Sequence, residues 1–329
     1  MGDIIQVKNN KFIAQGDVAG RLLANNMNPN ALRTNTVLRK DEWKTIDQSV
    51  LDVHLDRLVG VQDLISRGLT FQIGDGLGST VLESENVDDV SAAVMSMSPV
   101  VKGQNDAVNF ELEYLPLPIV HKDFQIDIRK LTASRKRGEA LDTTLARKAS
   151  RKVSEKIETV LFNGSSTYSF GGGTIYGYTD FPTRNTATIP LAWTGSAKTG
   201  ELILADVLDW KQALINDNMF GPYILYIPTN YETVLDGEFK LNSDLTIRER
   251  LMKLDGIADI KVIDKLTASN IVLVQMTDDT IRMVNGLNLT TVQWESNGGF
   301  LVHFKVMQIL VPQIRADSSD NCGVLHASL

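Results

Sequence analysis

The stretch Leu115-Pro116-Leu117-Pro118-Ile119-Val120-His121-Lys122-Asp123-Phe124 precedes the strongest helical signal in the chain, which ends Glu158-Thr159-Val160-Leu161-Phe162-Asn163-Gly164. Pro116 and Pro118 each lack the N–H that a central strand needs, so they mark a sheet edge or a bend. Phe124, Ile126 and Ile128 then alternate, as in a strand. From 139 to 163, Leu145, Ala149, Val153, Ile157, Val160 and Leu161 recur at helical spacing and predict one apolar stripe. Asn163-Gly164 supplies the stop. The opposite face carries Arg147, Lys148, Arg151, Lys152 and Lys156.

Before this block, Val108–Tyr114 alternates cleanly, and so do Leu69, Phe71 and Ile73. Between them lie Gly74, Gly76 and Gly78 and an acidic polar stretch with Glu83, Glu85, Asp88 and Asp89. Residues 68–115 therefore read as a long two-stranded excursion with a flexible tip, and the glycines as a turn at a loop tip. An isolated hairpin is marginal in water, so the excursion is expected to pack on something, with a neighbouring subunit as one candidate. Residues 41–67 predict an amphipathic helix capped by Asp41, with a break at Gly60. Residues 1–40 are Asn-rich and weakly periodic, and read as an arm.

After the long helix, residues 164–200 are rich in Gly, Ser, Thr and Tyr and include Phe170-Gly171-Gly172-Gly173. So long a stretch with little regular structure needs a job, short strands, or a neighbour. Residues 201–329 read as an α/β domain. Its helices cover about 201–216 and 246–254. Its strands lie near 223–227, 260–263, 271–276, 280–284, 289–294, 300–311 and 324–327.

Chemistry is sparse. Thirty-three basic against 40 acidic residues give a net charge of −7, unlike a protein devoted wholly to gripping nucleic acid. The charge is uneven: residues 127–163 hold ten basic and five acidic side chains, a local +5. The single cysteine, Cys322, excludes a disulfide scaffold and fits a reducing compartment. His54, His121, His303 and His326 lack metal-ligand spacing. Gly74-Asp75-Gly76-Leu77-Gly78 lacks the spacing of a dinucleotide loop, and Gly171-Gly172-Gly173 lacks the Lys-Ser/Thr of a phosphate loop. The pairs Asp88/Asp89, Asp278/Asp279 and Asp317/Asp320 read as solvated turn residues. No catalytic, cofactor-binding or metal residue is expected, and no enzyme activity. The N-terminus has no secretory pattern and no apolar run is long enough to span a membrane, so a soluble product made inside the cell is expected.

The Pro-x-Pro block, the helix ending Phe162-Asn163-Gly164 and the later Gly177-Tyr178-Thr179-Asp180-Phe181-Pro182 together resemble the major capsid proteins of tailed bacteriophages, in the encapsulin-like branch of the Hong Kong 97-type fold. The resemblance spans roughly residues 40–329 and rests on short, tolerant motifs in a shared order. It implies an α+β fold: an N-terminal arm (1–40), a helix (41–67) leading into an extended loop (68–115) over a neighbour, and a peripheral domain (116–200 and 300–329). The peripheral domain holds the spine helix (139–163), and residues 201–299 form an axial α/β domain.

The resemblance also implies self-assembly through hexamers and pentamers into an icosahedral shell around double-stranded DNA, in the virion, after assembly in the host cytoplasm. Partners would be further copies, DNA held without sequence preference, a portal, a separate scaffold and decoration proteins, with no cofactor and no membrane. Arg147, Lys148, Arg151, Lys152 and Lys156 are the candidates to face the lumen. Some family members crosslink through a loop lysine. Lys102 lies in the expected loop, but nothing marks it as activated. Two alternatives stand: an encapsulin-type compartment, and a soluble α/β enzyme or binding protein with its site in 164–200.

Overall fold

The computed structural model describes residues 6–8, 11–13, 46, 48–51, 58–87, 95, 97, 110–127, 129, 143–240, 244–297, 300–317 and 319–329. Most of the arm, His54, Lys102, Asp88/Asp89 and residues 139–142 lie outside these. In chain order the elements are β1 (Gln6–Lys8), β2 (Lys11–Ile13), α1 (Val59–Ser66), β3 (Thr70–Gln72), β4 (Val81–Val87), β5 (Phe110–Pro116), β6 (Val120–Asp127) and α2 (Thr144–Asn163). There follow β7 (Ser165–Phe170), β8 (Gly173–Ile175), β9 (Asn185–Thr188), α3 (Gly200–Asn216), β10 (Tyr223–Pro228), α4 (Glu232–Leu235) and α5 (Ile247–Met252). The last strands are β11 (Ile257–Ile263), β12 (Ile271–Gln275), β13 (Ile281–Ser296), β14 (Leu301–Ile314) and β15 (Val324–Ser328). Two compact units divide the chain: Met1–Thr80 with Leu117–Leu161 and Met283–Val311, and Val81–Pro116 with Phe162–Arg282 and Pro312–Leu329.

The first unit contains a four-stranded sheet in the order β3-β13-β14-β6. β6 is an edge strand, as its flanking prolines require, and runs antiparallel to β14 from Leu301↔Asp127 to Gln308↔Val120. Phe124 and Phe304 stack across that pair at 4.9 Å. The sequence predicts two strands over 280–294, but one strand of 16 residues is present. Gly286 interrupts the apolar pattern without interrupting the ladder. A Cβ on Gly76 would collide with the backbone of Gly286, so two glycines let main chain lie on main chain. The Gly74–Gly78 turn is therefore not a free tip: Gly76 is buried, and Asp75 Oδ1 accepts the Gly78 N–H at 3.0 Å. β14 also runs three residues past the expected Val311, with Pro312 inside it.

In the same unit α2 buries Ala146, Ala149, Ser150, Val153, Ser154, Ile157 and Glu158. The expected stripe is present except for Leu145, which lies in the first turn at the edge of the stripe and is exposed. Ser150 Oγ donates to Val50 O at 2.6 Å, and Glu158 accepts the N–H groups of Gly60 at 2.6 Å and Val61 at 3.3 Å. Those two donors are among the orphan N–H groups at the start of α1, whose N-cap Leu58 offers no side-chain acceptor. Gly60 is thus inside a helix, and the chain leaves helical geometry at Leu58 instead.

The second unit is built on a five-stranded mixed sheet, β11-β10-β12-β15-β9. β10 and β12 are buried at every position, which explains their unbroken apolar sequence. Its core includes Trp193 stacked on Trp210 at 5.7 Å and tilted on Tyr231 at 5.3 Å. Thr199 caps α3, and Thr246 with Glu249 forms a capping box on α5. The Gly-rich region supplies short strands: β7 pairs with β8, and β9 runs parallel to β15.

Two motifs interlock within this unit. Phe162 O, at the end of α2, accepts the Thr179 N–H at 2.9 Å and the Thr179 hydroxyl at 3.0 Å. Phe162 also packs edge-on against Tyr178 and Tyr226. Gly164 takes φ 66°, and a Cβ there would strike the Asp180 carboxylate. Asp180 in turn accepts the Gly177 N–H at 2.6 Å. Nearby, His326 on β15 meets Asn270 Oδ1 at 2.9 Å through Nε2, and Arg184 Nε points to its Nδ1 at 3.4 Å. Burial, and then the Arg184 charge, push its pKa from 6.5 down to about 4, so the ring is neutral.

Two outcomes are expected. Gly164→Ala should cost roughly 1–2 kcal/mol from its left-handed backbone alone, and more from the collision. In an Asp180→Ala background the added cost of Gly164→Ala should fall, by roughly 1 kcal/mol, in a chemical-unfolding cycle. Strictly additive costs would show that the motifs act independently. A neutral buried histidine stabilises the fold fully above pH 6.5 and loses that contribution as pH falls toward about 4. His326→Gln should therefore flatten the dependence of unfolding free energy on pH between about 6.5 and 5. An unchanged slope would show that another group titrates.

Candidate functional site

The candidate surface is the outward face of α2. Arg147, Lys148, Arg151, Lys152 and Lys156 are all exposed. Lys148, Lys152 and Lys156 fall four residues apart and form one line, and Arg147 and Arg151 form a second beside it. At 1.5 Å per residue the five charges span about 13 Å of helix. The helix turns them outward because its other side is committed to the apolar stripe and to Ser150, Ser154 and Glu158.

These five cations are not equivalent. Glu155 accepts from Arg151 Nε at 2.7 Å and from Lys152 Nζ at 2.8 Å. Arg147, Lys148 and Lys156 form no ion pair among the described residues. The i,i+4 pair of Arg151 with Glu155 is legible in the sequence, and the i,i+3 share taken by Lys152 was missed although its spacing is the signal. What such a face can do is neutralise an extended polyanion without reading its sequence. It holds no group positioned for bond-making.

The Gly-rich region contributes to an open cleft of about 490 Å³ inside the second unit, bounded by Tyr114, Gly172, Tyr176, Phe181, Pro312 and Asp317. The sequence reading placed the site of its enzyme or binding-protein alternative in 164–200, but not the walls that Ser84, 112–115 and 312–320 supply. The one signal of those walls is Gly173, where a Cβ would collide with the carbonyl of Tyr114. A catalytic pocket gathers convergent polar groups with at least one displaced pKa. The displaced groups among the described residues lie elsewhere. Burial raises Asp180 despite the Gly177 N–H, raises Tyr223, and lowers Arg282 together with the charge of Arg315. Burial lifts the Cys322 thiol to about 12. None of these, nor His326, lines the cleft. Of the other histidines, His303 stacks on Trp294 at 5.3 Å and meets Ser296 Oγ at 2.6 Å, and His121 Nδ1 meets Ile119 O at 3.2 Å. Among the described residues no three His, Cys, Asp or Glu side chains are placed to hold a metal. No described helix is long and apolar enough to cross a membrane.

Comparison with known proteins gives a consistent result. A family model described as "Family of unknown function (DUF6260)" matches residues 30–327. The type 1 encapsulin shell protein EncA of Myxococcus xanthus (strain DK1622) is 24% identical over 238 residues, 71% of each chain. The virus-like particle from Pyrococcus furiosus superposes with a TM-score of 0.60 at 17% identity, covering 85% of this chain and 98% of that one. The capsid of Myoviridae phage XM1 gives a TM-score of 0.60 at 10% identity, covering 76% and 86%. These relatives are shell and capsid proteins by name. With the α+β topology described above, they establish the fold that the sequence motifs resemble. The chain belongs to the DUF6260 family and has the Hong Kong 97-type capsid fold.

Proposed function

We propose that the chain is the major capsid protein of a tailed phage, self-assembling through hexamers and pentamers into an icosahedral shell around double-stranded DNA. The observation that carries this reading is the fold, shared over 76–85% of the chain with a virus-like particle and a phage capsid. In this reading residues 1–40 are an arm, 41–67 lead into the extended loop 68–115, and the spine helix belongs to a peripheral domain of 116–200 and 300–329. Residues 201–299 form the axial domain. Exposed Leu112, Tyr114, Tyr168 and Phe170 fit a role in contacts between copies. A shell repeats each interface many times, so modest contacts add up. The role is structural. Its partners are further copies, packaged DNA, a portal, a separate scaffold and decoration proteins, in a virion assembled in host cytoplasm.

The α2 face supports DNA as the content. Five exposed cations on one helix, repeated on every copy, would line the lumen and neutralise phosphates without sequence preference. The second reading is an encapsulin-type compartment, favoured by the 24% identity to an encapsulin shell protein.

Electron microscopy of the purified chain should show closed particles or pentamer- and hexamer-sized rings. Nuclease-protected DNA inside particles made in the native host supports the capsid, and an enzyme cargo in its place supports the compartment. A monodisperse monomer that stays unassembled even with the neighbouring gene products of its source would sink both. For the helix face, replacing Arg147, Lys148 and Lys156 by Gln should weaken duplex binding most at low salt and flatten its salt dependence. Glu155→Gln should act oppositely. Freeing Arg151 and Lys152 should steepen the slope of log K against log salt by up to about 1.8, at ~0.9 per phosphate. Equal slopes in all three proteins would take the DNA contact away from this face.

A further inference from the structure

β11 closes one end of the five-stranded sheet, and among the described residues no strand or bridge pairs with its outer side. In the parallel ladder with β10, alternate residues of β11 turn their N–H and C=O groups toward β10 or away from it. The Ile260 N–H points away, since it donates to Oδ1 of Asp259 at 2.8 Å. Val262, two residues on, shares that direction. Asp259 and Lys261 alternate with these and carry their side chains on one face, where Lys261 Nζ stands 3.7 Å from Asp259 Oδ2. Both side chains reach solvent, with 42% of Asp259 and 31% of Lys261 exposed. On the other face Ile260 belongs to the core and Val262 packs against it. An open edge of seven residues is a template for another strand.

The sequence of this edge is self-complementary. Set antiparallel to a second copy of itself about Ile260, the segment Ala258-Asp259-Ile260-Lys261-Val262 places Asp259 opposite Lys261 and Lys261 opposite Asp259. Ile260 meets Ile260, and Val262 meets Ala258. The outward N–H and C=O groups of the two Ile260 residues then form a hydrogen-bonded pair. The charged residues fall in the adjacent non-bonded pairs, where Cα atoms approach to about 4.5 Å and side chains come closest. A slip of two residues sets Asp259 against Asp259 or Lys261 against Lys261, so charge fixes the register. We propose that the β11 edge pairs antiparallel with β11 of a second copy, giving a two-fold dimer with one continuous sheet. On pairing, the Ile260 N–H exchanges Asp259 Oδ1 for the Ile260 carbonyl of the second copy, and the carboxylate turns to Lys261 of that copy. Seven residues a side is well below the roughly 20–30 of a stable interface, so the dimer is weak and dissociates on dilution. A two-fold contact closes at two copies, whereas rings need heterologous contacts. Under the shell reading the dimer is therefore a store of unassembled chain, but the pairing itself does not depend on that reading.

Sedimentation velocity of the wild-type chain outside particles should show monomer and dimer exchanging with concentration between about 1 and 200 µM, the range of a weak interface. D259K sets Lys against Lys and K261D sets Asp against Asp, so each should weaken dimerisation at least tenfold. The two single variants mixed in equal parts should dimerise with one another, and the chain carrying both changes should regain wild-type dimerisation. D259A separates pairing from protection. A residue that only guards the edge against association gives more dimer when removed, and a paired residue gives less. Unfolding curves check that each variant folds, and D259N and K261Q serve if the charge reversals do not. A wild-type chain seen only as monomer, or only as monomer and closed particles, overturns the inference. So does a dimer that persists in D259K and K261D, since it forms through another surface, and so does more dimer in D259A. Particles formed by a chain with no dimer overturn this inference and leave the shell reading standing, whereas a dimer with this charge dependence in a chain that never assembles does the reverse.

Discussion

Glu158 is an ionisable side chain with about 1% of its surface exposed, and it accepts hydrogen bonds from backbone N–H groups at the start of another helix. A buried carboxylate is costly unless its charge is met. A helix start is a natural partner, with unpaired donors and a positive dipole end. α1 needs an acceptor because Leu58 cannot cap it, and α2 provides one. Eight residues earlier on α2, Ser150 donates to Val50 O. At helical rise the two ties are about 12 Å apart, enough to fix a segment in both position and direction. This division of labour leaves the other side of α2 free of structural duties, and there the chain carries five cations.

The apolar stripe of α2 was legible because helical periodicity is a local signal. The polar members of the same face, Ser150, Ser154 and Glu158, were not, because each looks like a surface residue until its partner is known. The partners of Ser150 and Glu158 stand 100 and 98 residues away. Glycine misled for a similar reason. Gly60 read as a break, and Gly76 as a loop tip, when Gly60 donates to a distant carboxylate and Gly76 lies back to back with Gly286. Leu145 satisfied the spacing and is still exposed, since it stands at the edge of the stripe in the first turn. Of the candidate surfaces, the helix cations were readable one by one. The cleft was not, because its lining comes from five separated stretches of chain.

The motifs that carry the family resemblance have a shared physical content. The turn after Phe162 and the Gly177–Pro182 segment look like two short, tolerant patterns in the sequence. In the fold they are halves of one lock. Phe162 O is closed by Thr179, its ring is walled by Tyr178, and Gly164 leaves the space that Asp180 fills. A lock of this kind demands a few atoms at a few positions and is indifferent to most of the intervening side chains. Such economy is compatible with a common fold at 10–17% sequence identity.

Cys322 gives the molecule a practical property. The chain's single thiol is fully buried, and its pKa of about 12 leaves almost no thiolate at neutral pH. Maleimide chemistry, which consumes thiolate, therefore finds the native surface blank. A cysteine placed at any exposed position becomes the sole reactive address on each copy, so a closed particle could be dressed with dyes, peptides or antigens at one defined spacing without first removing a native residue.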